Sequence, residues 1–403
     1  DLILYNGTVR TLNPARPVAQ ALAIKDGLIL DLGSNEEILG LANEYTRVID
    51  LEGLTLMPGF VDPHTHLIFA GQREFELPMK QSGASYLEIL ASGGGILNTV
   101  RATRNASREE LVMAATARLD RMLAFGTTTA EAKSGYGLDK DTELKSLEAI
   151  AELAKTHTVE LVPTFLGAHA VPEEYKGAPD DYIEFVISDV LPEVAARKLA
   201  EFCDIFCEKG VFSVDNSRKL LSAAQKAGLG LRIHSDEIVR LGGTALAVEL
   251  GAVSASHLMQ TSDQEFEGMA ERGVIAELLP ATPFALMEKE YPRARAMIEA
   301  GVPVALSTDL NPNCWTESMQ FVIALAAYNM KLHPSEALAA ATRNAAFAIN
   351  RADTVGSLEV GKQADVLVLD AKNHLTIPYH FGVNLIETVI KKGKIVLGEK
   401  NLP

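Results

Sequence analysis

Eight short apolar runs, each followed by a stretch that reads as helix, decide what this chain can fold into. The runs are GFVDPH, TTTAEAK, VELVPTF, CDIFCE, GLRIHS, AVSASH, VIAELLP and PVALSTD. Helical stretches such as SREELVMAATARLDRMLAFG and DKDTELKSLEAIAELAKTH separate them. A strand joined to a parallel neighbour through a helix is the βαβ unit, and eight such units over roughly 300 residues fit a TIM (β/α)8 barrel. A doubly wound α/β sheet is the other way to lay down this alternation. No glycine-rich dinucleotide loop follows the first run, so the barrel is the expected fold. Reactive residues should then sit where strands end and βα loops begin.

The two chain ends read differently. LILYNGTV, ALAIKDGLILDLG and RVIDLEGLTL are short strands divided by Asn-Gly, Asp-Gly and Glu-Gly, which is turn chemistry. SLEVGKQADVLVLD and ETVIKKGKIVLGE near the C-terminus repeat that pattern, and AIKDGLIL matches VIKKGKIV as a hairpin of similar size. The ends are expected to meet in one small β-sandwich built from residues 1–56 and 351–403, around a barrel of residues 57–350.

The chain has 403 residues, 47% of them hydrophobic, and a net charge of −16 with no Lys/Arg tract. That balance argues against nucleic acid or an anionic membrane surface as partner. An anionic small molecule would need a local cation. Three cysteines do not make a disulfide framework, and no run has membrane-spanning length. The expectation is a soluble cytoplasmic protein.

PGFVDPHTHLIFAGQRE places His64 and His66 two residues apart at the end of a short strand, on one face. Further candidates close other runs: His169 after the third, His234 at the fifth with Glu237 three residues on, His257 at the sixth, and Asp309 at the eighth. Five of the nine histidines thus stand at strand ends. His64, His66, His234 and Asp309 make a three-imidazole, one-carboxylate set. Such a set suits one divalent ion, zinc first and iron(II) second, with an open position for an activated water. Arg73 offers a planar fork for a carboxylate, or alternatively a salt bridge to Glu74 or Glu76. KSGYG reads as a flexible glycine-bounded loop carrying Tyr136. Lys133 and Glu131 are expected to pair inside the barrel mouth.

PGFVDPHTH, followed by His, His and Asp on later strands, resembles the amidohydrolase superfamily of metal-dependent hydrolases. The His-x-x-Glu on strand five resembles its mononuclear branch, which includes cytosine and guanine deaminases. Where binuclear members carry a carboxylated lysine, the nearest residue here is Glu208. HTHLIFAGQRE, EAKSGYGL, LGAHAVP and STDLNPN together resemble the members that open the ring of 4-imidazolone-5-propanoate in histidine degradation. The resemblance implies a small anionic heterocycle as substrate, a homodimer, and N-formimidoyl-L-glutamate as product. It implies substrate contacts at Arg73, Tyr136, His169, Glu237 and Asn311. The loop after NP departs from that pattern: Asn313 and Cys314 stand where Gly and Ser or Thr are common. The implied chemistry has Asp309 taking the proton of an activated water, His257 stabilising the oxyanion and Glu237 protonating the leaving nitrogen. The alternative within the superfamily is a deaminase of a purine, pyrimidine or triazine ring.

Overall fold

A computed structural model describes residues 1–83, 88–89 and 92–398. Eight parallel strands follow one another in chain order: Phe60–Asp62, Thr127–Lys133, Glu160–Ala168, Phe202–Cys207, Gly230–Ser235, Ser254–His257, Ile275–Leu278 and Val304–Leu306. Every run read from the sequence as a barrel strand is one. The sheet closes between its first and last members just beyond both strands. There Thr65 bridges Leu310, the His66 N–H donates to the Leu310 carbonyl at 2.9 Å, and the Asp309 N–H donates to the His64 carbonyl at 3.2 Å. The seam of the barrel therefore carries three of the four proposed ligands.

The strands are buried on both faces, one toward the barrel interior and one toward the helices. All seven residues of Thr127–Lys133 are buried. Glu131 and Lys133 share the inward face, because Lys133 reaches Asp204, two strands away, at 2.9 Å. Ala130 and Ala132 face outward into the helix layer. The helix Arg108–Ala124 starts on a capping box, with the Ser107 hydroxyl accepting from the Glu110 N–H and the Glu110 carboxylate from the Ser107 N–H. It buries Leu111, Ala115, Leu119 and Met122, spaced to form one stripe. The helix Lys140–Thr156 starts on Asp139 and buries Leu144, Leu147, Ile150 and Leu153 in the same way.

The ends form two further sheets. One holds, in order, Leu28–Gly33, Ala21–Lys25, Leu2–Tyr5 and Arg47–Asp50. The other mixes both termini: Lys394–Leu397, Ile386–Lys391, Val366–Leu369, Thr55–Pro58, Thr8–Arg10 and Val18–Ala19. Leu4, Leu22 and Ile49 of the first sheet pack with Leu56, Val366 and Ile390 of the second in one core. The two hairpins that look alike in sequence turn alike. Asp26-Gly27 (φ 51° and 80°) and Lys392-Gly393 (φ 50° and 72°) put both central residues in the left-handed region, as a two-residue type I′ hairpin requires. The chain passes from sandwich to barrel at Gly59, whose N–H bonds back to Asp365 at 3.0 Å while the Phe60 N–H bonds to Gly126 at 3.0 Å. A Cβ at Gly59 would collide with the Thr128 hydroxyl, so only glycine fits. All three cysteines are free and buried. Among the described residues, no helix is long and apolar enough to cross a membrane.

Candidate metal centre and active site

The strand-end residues converge at the barrel mouth. Asp309 Oδ1 lies 3.6 Å from His64 Nε2 and 3.4 Å from His66 Nε2, and His66 Nε2 lies 3.4 Å from His234 Nε2. Among the described residues, two groups have ligand atoms close enough to share an ion: His64, His66 and Asp309, and His64, His234 and His257. His257 thus joins the cluster directly.

The other atom of three ligands is already engaged. His64 Nδ1 lies 3.0 Å from the Ser256 hydroxyl, which itself donates to Glu277 at 2.8 Å. Arg232, fully buried, pairs with Glu277 behind it. His234 Nδ1 lies 3.0 Å from Asp204 Oδ1, and Lys133 bridges Asp204 at 2.9 Å and Glu131 at 2.7 Å. The Thr282 hydroxyl donates to Asp309 Oδ2 at 2.5 Å. A carboxylate on Nδ1 fixes the tautomer that presents a bare Nε2. His64 Nε2 and Asp309 Oδ1 are accordingly buried with no hydrogen-bond partner among the described residues. Buried polar atoms are rarely left this way, and a divalent cation satisfies both at once. The donor set therefore fits the ion the fold implies.

Electrostatics agree. Burial, with Lys133 nearby, holds His64 well below the ordinary histidine value, and burial takes His234 down to about 4 against the pull of Asp204. Both rings are neutral, as ligands must be. Burial alone would raise Asp309, but His66, His257 and Thr282 outweigh it and keep the carboxylate ionised. Glu237 goes the other way: burial raises it above the ordinary value despite His257. Its Oε2 lies 3.7 Å from His257 Nε2. His257 (φ 73°) and Asp309 (φ 51°) both occupy the left-handed region, a strain that the surrounding fold has to hold.

Glu237, His257 and Thr282 line a cavity of about 480 Å³. A second cavity of about 830 Å³ adjoins it through Met287 and Glu288 and is lined by Arg73, Lys80, Asn313, Cys314 and Trp315 among others. Tyr136 and His169 pack next to His66. The His169 ring stacks on His66 at 4.7 Å and 16°, and Tyr136 lies 5.1 Å from His169.

A sequence profile for the Amidohydrolase family matches residues 55–396. An imidazolonepropionase from Alkaliphilus metalliredigens is 54% identical over 379 residues, covering 93% of this chain and 90% of that protein. One from Bacillus cytotoxicus is 49% identical over 398 residues, covering 98% of this chain and 92% of that protein. The chain belongs to the imidazolonepropionase family of amidohydrolases. Solved structures share its fold at low identity. A 5-methylcytosine deaminase from Klebsiella pneumoniae superposes with a TM-score of 0.77 at 18% identity, over 98% of this chain and 97% of that one. An adenosine deaminase from Xanthomonas campestris, solved with bound zinc, gives 0.75 at 20%, over 100% and 94%.

Several of the candidate residues have partners within the protein itself. The KSGYG loop is not free to flex: Glu143 Oε1 accepts the N–H groups of Gly135 (3.2 Å), Gly137 (2.8 Å) and Leu138 (3.0 Å). Asn311 spends its side chain inside its own loop, donating to the Asp309 carbonyl at 2.7 Å and accepting from the Asn313 and Cys314 N–H groups. Cys314 is buried, with Sγ 3.7 Å from the Thr308 carbonyl. Arg73 makes the alternative contact, a two-pronged bond to Glu76 at 2.7 and 2.9 Å, while still lining the larger cavity. Glu208 holds the loop that carries Glu237, accepting from the Ile238 N–H at 2.9 Å. Lys133 and Glu131 pair as read.

Sequence reasoning missed Asp204, Glu277 and Thr282. Each is a polar residue in or beside an apolar strand, which was the one available signal that its carboxylate or hydroxyl has a buried partner.

Proposed function

We propose that the protein hydrolyses the cyclic amide of 4-imidazolone-5-propanoate to N-formimidoyl-L-glutamate, using one divalent ion held by His64, His66, His234 and Asp309. The observation that carries this reading is the near-full-length identity to proteins named imidazolonepropionase. The cavity chemistry supports it: a wall with hydrogen-bond donors at Arg73 and Lys80, beside the hydrolytic centre, suits a heterocycle with a carboxylate tail. Zinc is the proposed ion, because imidazole nitrogens and a carboxylate oxygen are donors it binds well, and its catalytic sites keep a position for water. When bound, the ion lowers the pKa of water toward neutrality and polarises the carbonyl.

The protein's own groups supply the rest. A water oxygen adds to the ring carbonyl carbon, the C–N bond of the cyclic amide breaks, and one proton moves from water to the departing nitrogen. Asp309 is held ionised and committed to Thr282, which leaves it as an orienting carboxylate. Glu237, raised by burial, is the better proton carrier: it accepts from the water and returns the proton to the nitrogen. His257, 3.7 Å from Glu237, faces the developing oxyanion. Tyr136 and His169 pack on His66 at the edge of the centre and are the proposed contacts for the flat ring.

The deaminase reading keeps the fold and loses the rest, since the solved deaminases are only 18–20% identical. Loss of the imidazolone absorbance on adding purified enzyme tests the proposal. A metal-loaded protein that leaves the chromophore intact would end it.

A further inference from the structure

Arg73 is not by itself a free cation. Its Nε and one terminal nitrogen are both bound by Glu76, whose Oε1 also accepts the Gly95 N–H at 2.7 Å. Glu76 is only 2% exposed, so the pair is a nearly neutral, fixed unit in the cavity wall. An anionic tail entering that cavity would meet a dipole with a few spare donors, not a net positive charge.

Lys80 lines the same cavity and differs in kind. Among the described residues it makes no ion pair, and its one hydrogen bond is to Asn313 Oδ1 at 2.5 Å. An ammonium carries three donors, so two remain unspent. The other charged lining residues, Glu74 and Glu288, are exposed and therefore screened by solvent, whereas Lys80 is half-buried. Asn313 in turn is tied to the reacting centre. Its N–H donates to Asn311 Oδ1 at 2.8 Å, and Asn311 Nδ2 donates to the Asp309 carbonyl at 2.7 Å. The loop that supplies a ligand thus also sets where the Lys80 ammonium stands.

We propose that Lys80, presented by the side-chain amide of Asn313, is the second cation that reads the substrate's carboxylate tail and supplies the net charge that the Arg73–Glu76 pair lacks. This rests on the proposed hydrolysis of 4-imidazolone-5-propanoate and names a specificity residue for it. It also gives the Asn313 departure a function: a glycine there could not hold the ammonium.

The test uses the metal-loaded enzyme, 4-imidazolone-5-propanoate and its propanamide analogue, in which the tail is uncharged. Lys80→Met should raise KM for the acid by about 10- to 100-fold, the size of one hydrogen bond to a charged group, with kcat within about threefold. Lys80→Arg should restore most of it. Asn313→Gly should raise KM less, about 3- to 10-fold, because the ammonium remains but is no longer placed. The propanamide should show no such penalty in any variant. An unchanged KM for the acid in Lys80→Met, with wild type active, overturns the inference alone. An equal loss on acid and amide, or a loss confined to kcat, assigns Lys80 a structural role and also overturns it. Wild type that turns over neither compound overturns the proposed reaction itself.

Discussion

Asp204→Asn asks whether the carboxylate behind His234 matters to metal binding. Asp204 is fully buried and takes three bonds: Oδ1 meets His234 Nδ1 at 3.0 Å and the Ile205 N–H at 2.8 Å, and Oδ2 accepts from Lys133 Nζ at 2.9 Å. Asparagine is the same size but has one acceptor. If its oxygen keeps His234, its NH2 faces the Lys133 ammonium, donor against donor. If it turns over, its NH2 faces Nδ1 and favours the tautomer with a proton on Nε2, which cannot ligate. Either way His234 becomes a poorer ligand, and outer partners of this kind are worth about 10- to 100-fold in metal affinity, or about 1.4–2.7 kcal/mol. Lys133 keeps Glu131 at 2.7 Å, so the buried charge stays compensated. The fold should then lose only the roughly 1–3 kcal/mol of one unsatisfied buried group. The assay is zinc titration of the metal-free protein against a chromophoric chelator, with the melting temperature of the metal-free form as control. Wild-type zinc affinity in a folded Asp204→Asn would refute the idea that His234 is a ligand set by Asp204.

Three further outcomes follow from the same geometry. Glu237→Gln should keep its metal and lose about 10²–10⁴-fold in kcat, since an amide carries no proton; near-normal turnover would move the proton transfer elsewhere. Arg73→Met should raise KM about 30-fold or more and also lower the melting temperature, because Glu76 is left buried with only the Gly95 N–H. Adding Glu76→Gln should restore the melting temperature but not KM, and recovery of both would deny Arg73 a substrate contact. His374 is buried between Arg10 Nε at 3.0 Å and the Ser335 hydroxyl at 2.9 Å, and burial takes it down to about 4. Its neutral form is the one the fold holds, so that stability is present above about pH 6.5 and is lost as pH falls from there toward 4, by up to ~3 kcal/mol. Unfolding free energies of His374→Gln should show a shallower decline over that window, and an identical decline would exclude His374 as its source.

The barrel was legible because every strand is covered on both faces and so appears as a continuous apolar run, punctuated by helices with their own period. The sandwich was legible through Asp26-Gly27 and Lys392-Gly393, where only turn chemistry fits. The centre was legible because strand ends are where a barrel exposes side chains, and His64, His66, His234, His257 and Asp309 all stand there. What failed to show were side-chain contacts between strands. Nothing in the spacing pairs Asp204 with His234 thirty residues on, or Glu277 with a histidine on the first strand. The loops were less legible for a related reason. KSGYG reads as mobile until Glu143, on the next helix, fills it, and nothing in the spacing shows that the Asn311 amide ties its own loop together.

Turnover in water enriched in oxygen-18 tests the central claim most directly. Hydrolytic opening of the cyclic amide predicts N-formimidoyl-glutamate carrying one heavy oxygen, in the carboxylate formed from the ring carbonyl, with no ammonia released. Ammonia in place of that product, or a ring-opened product without the label, would contradict it.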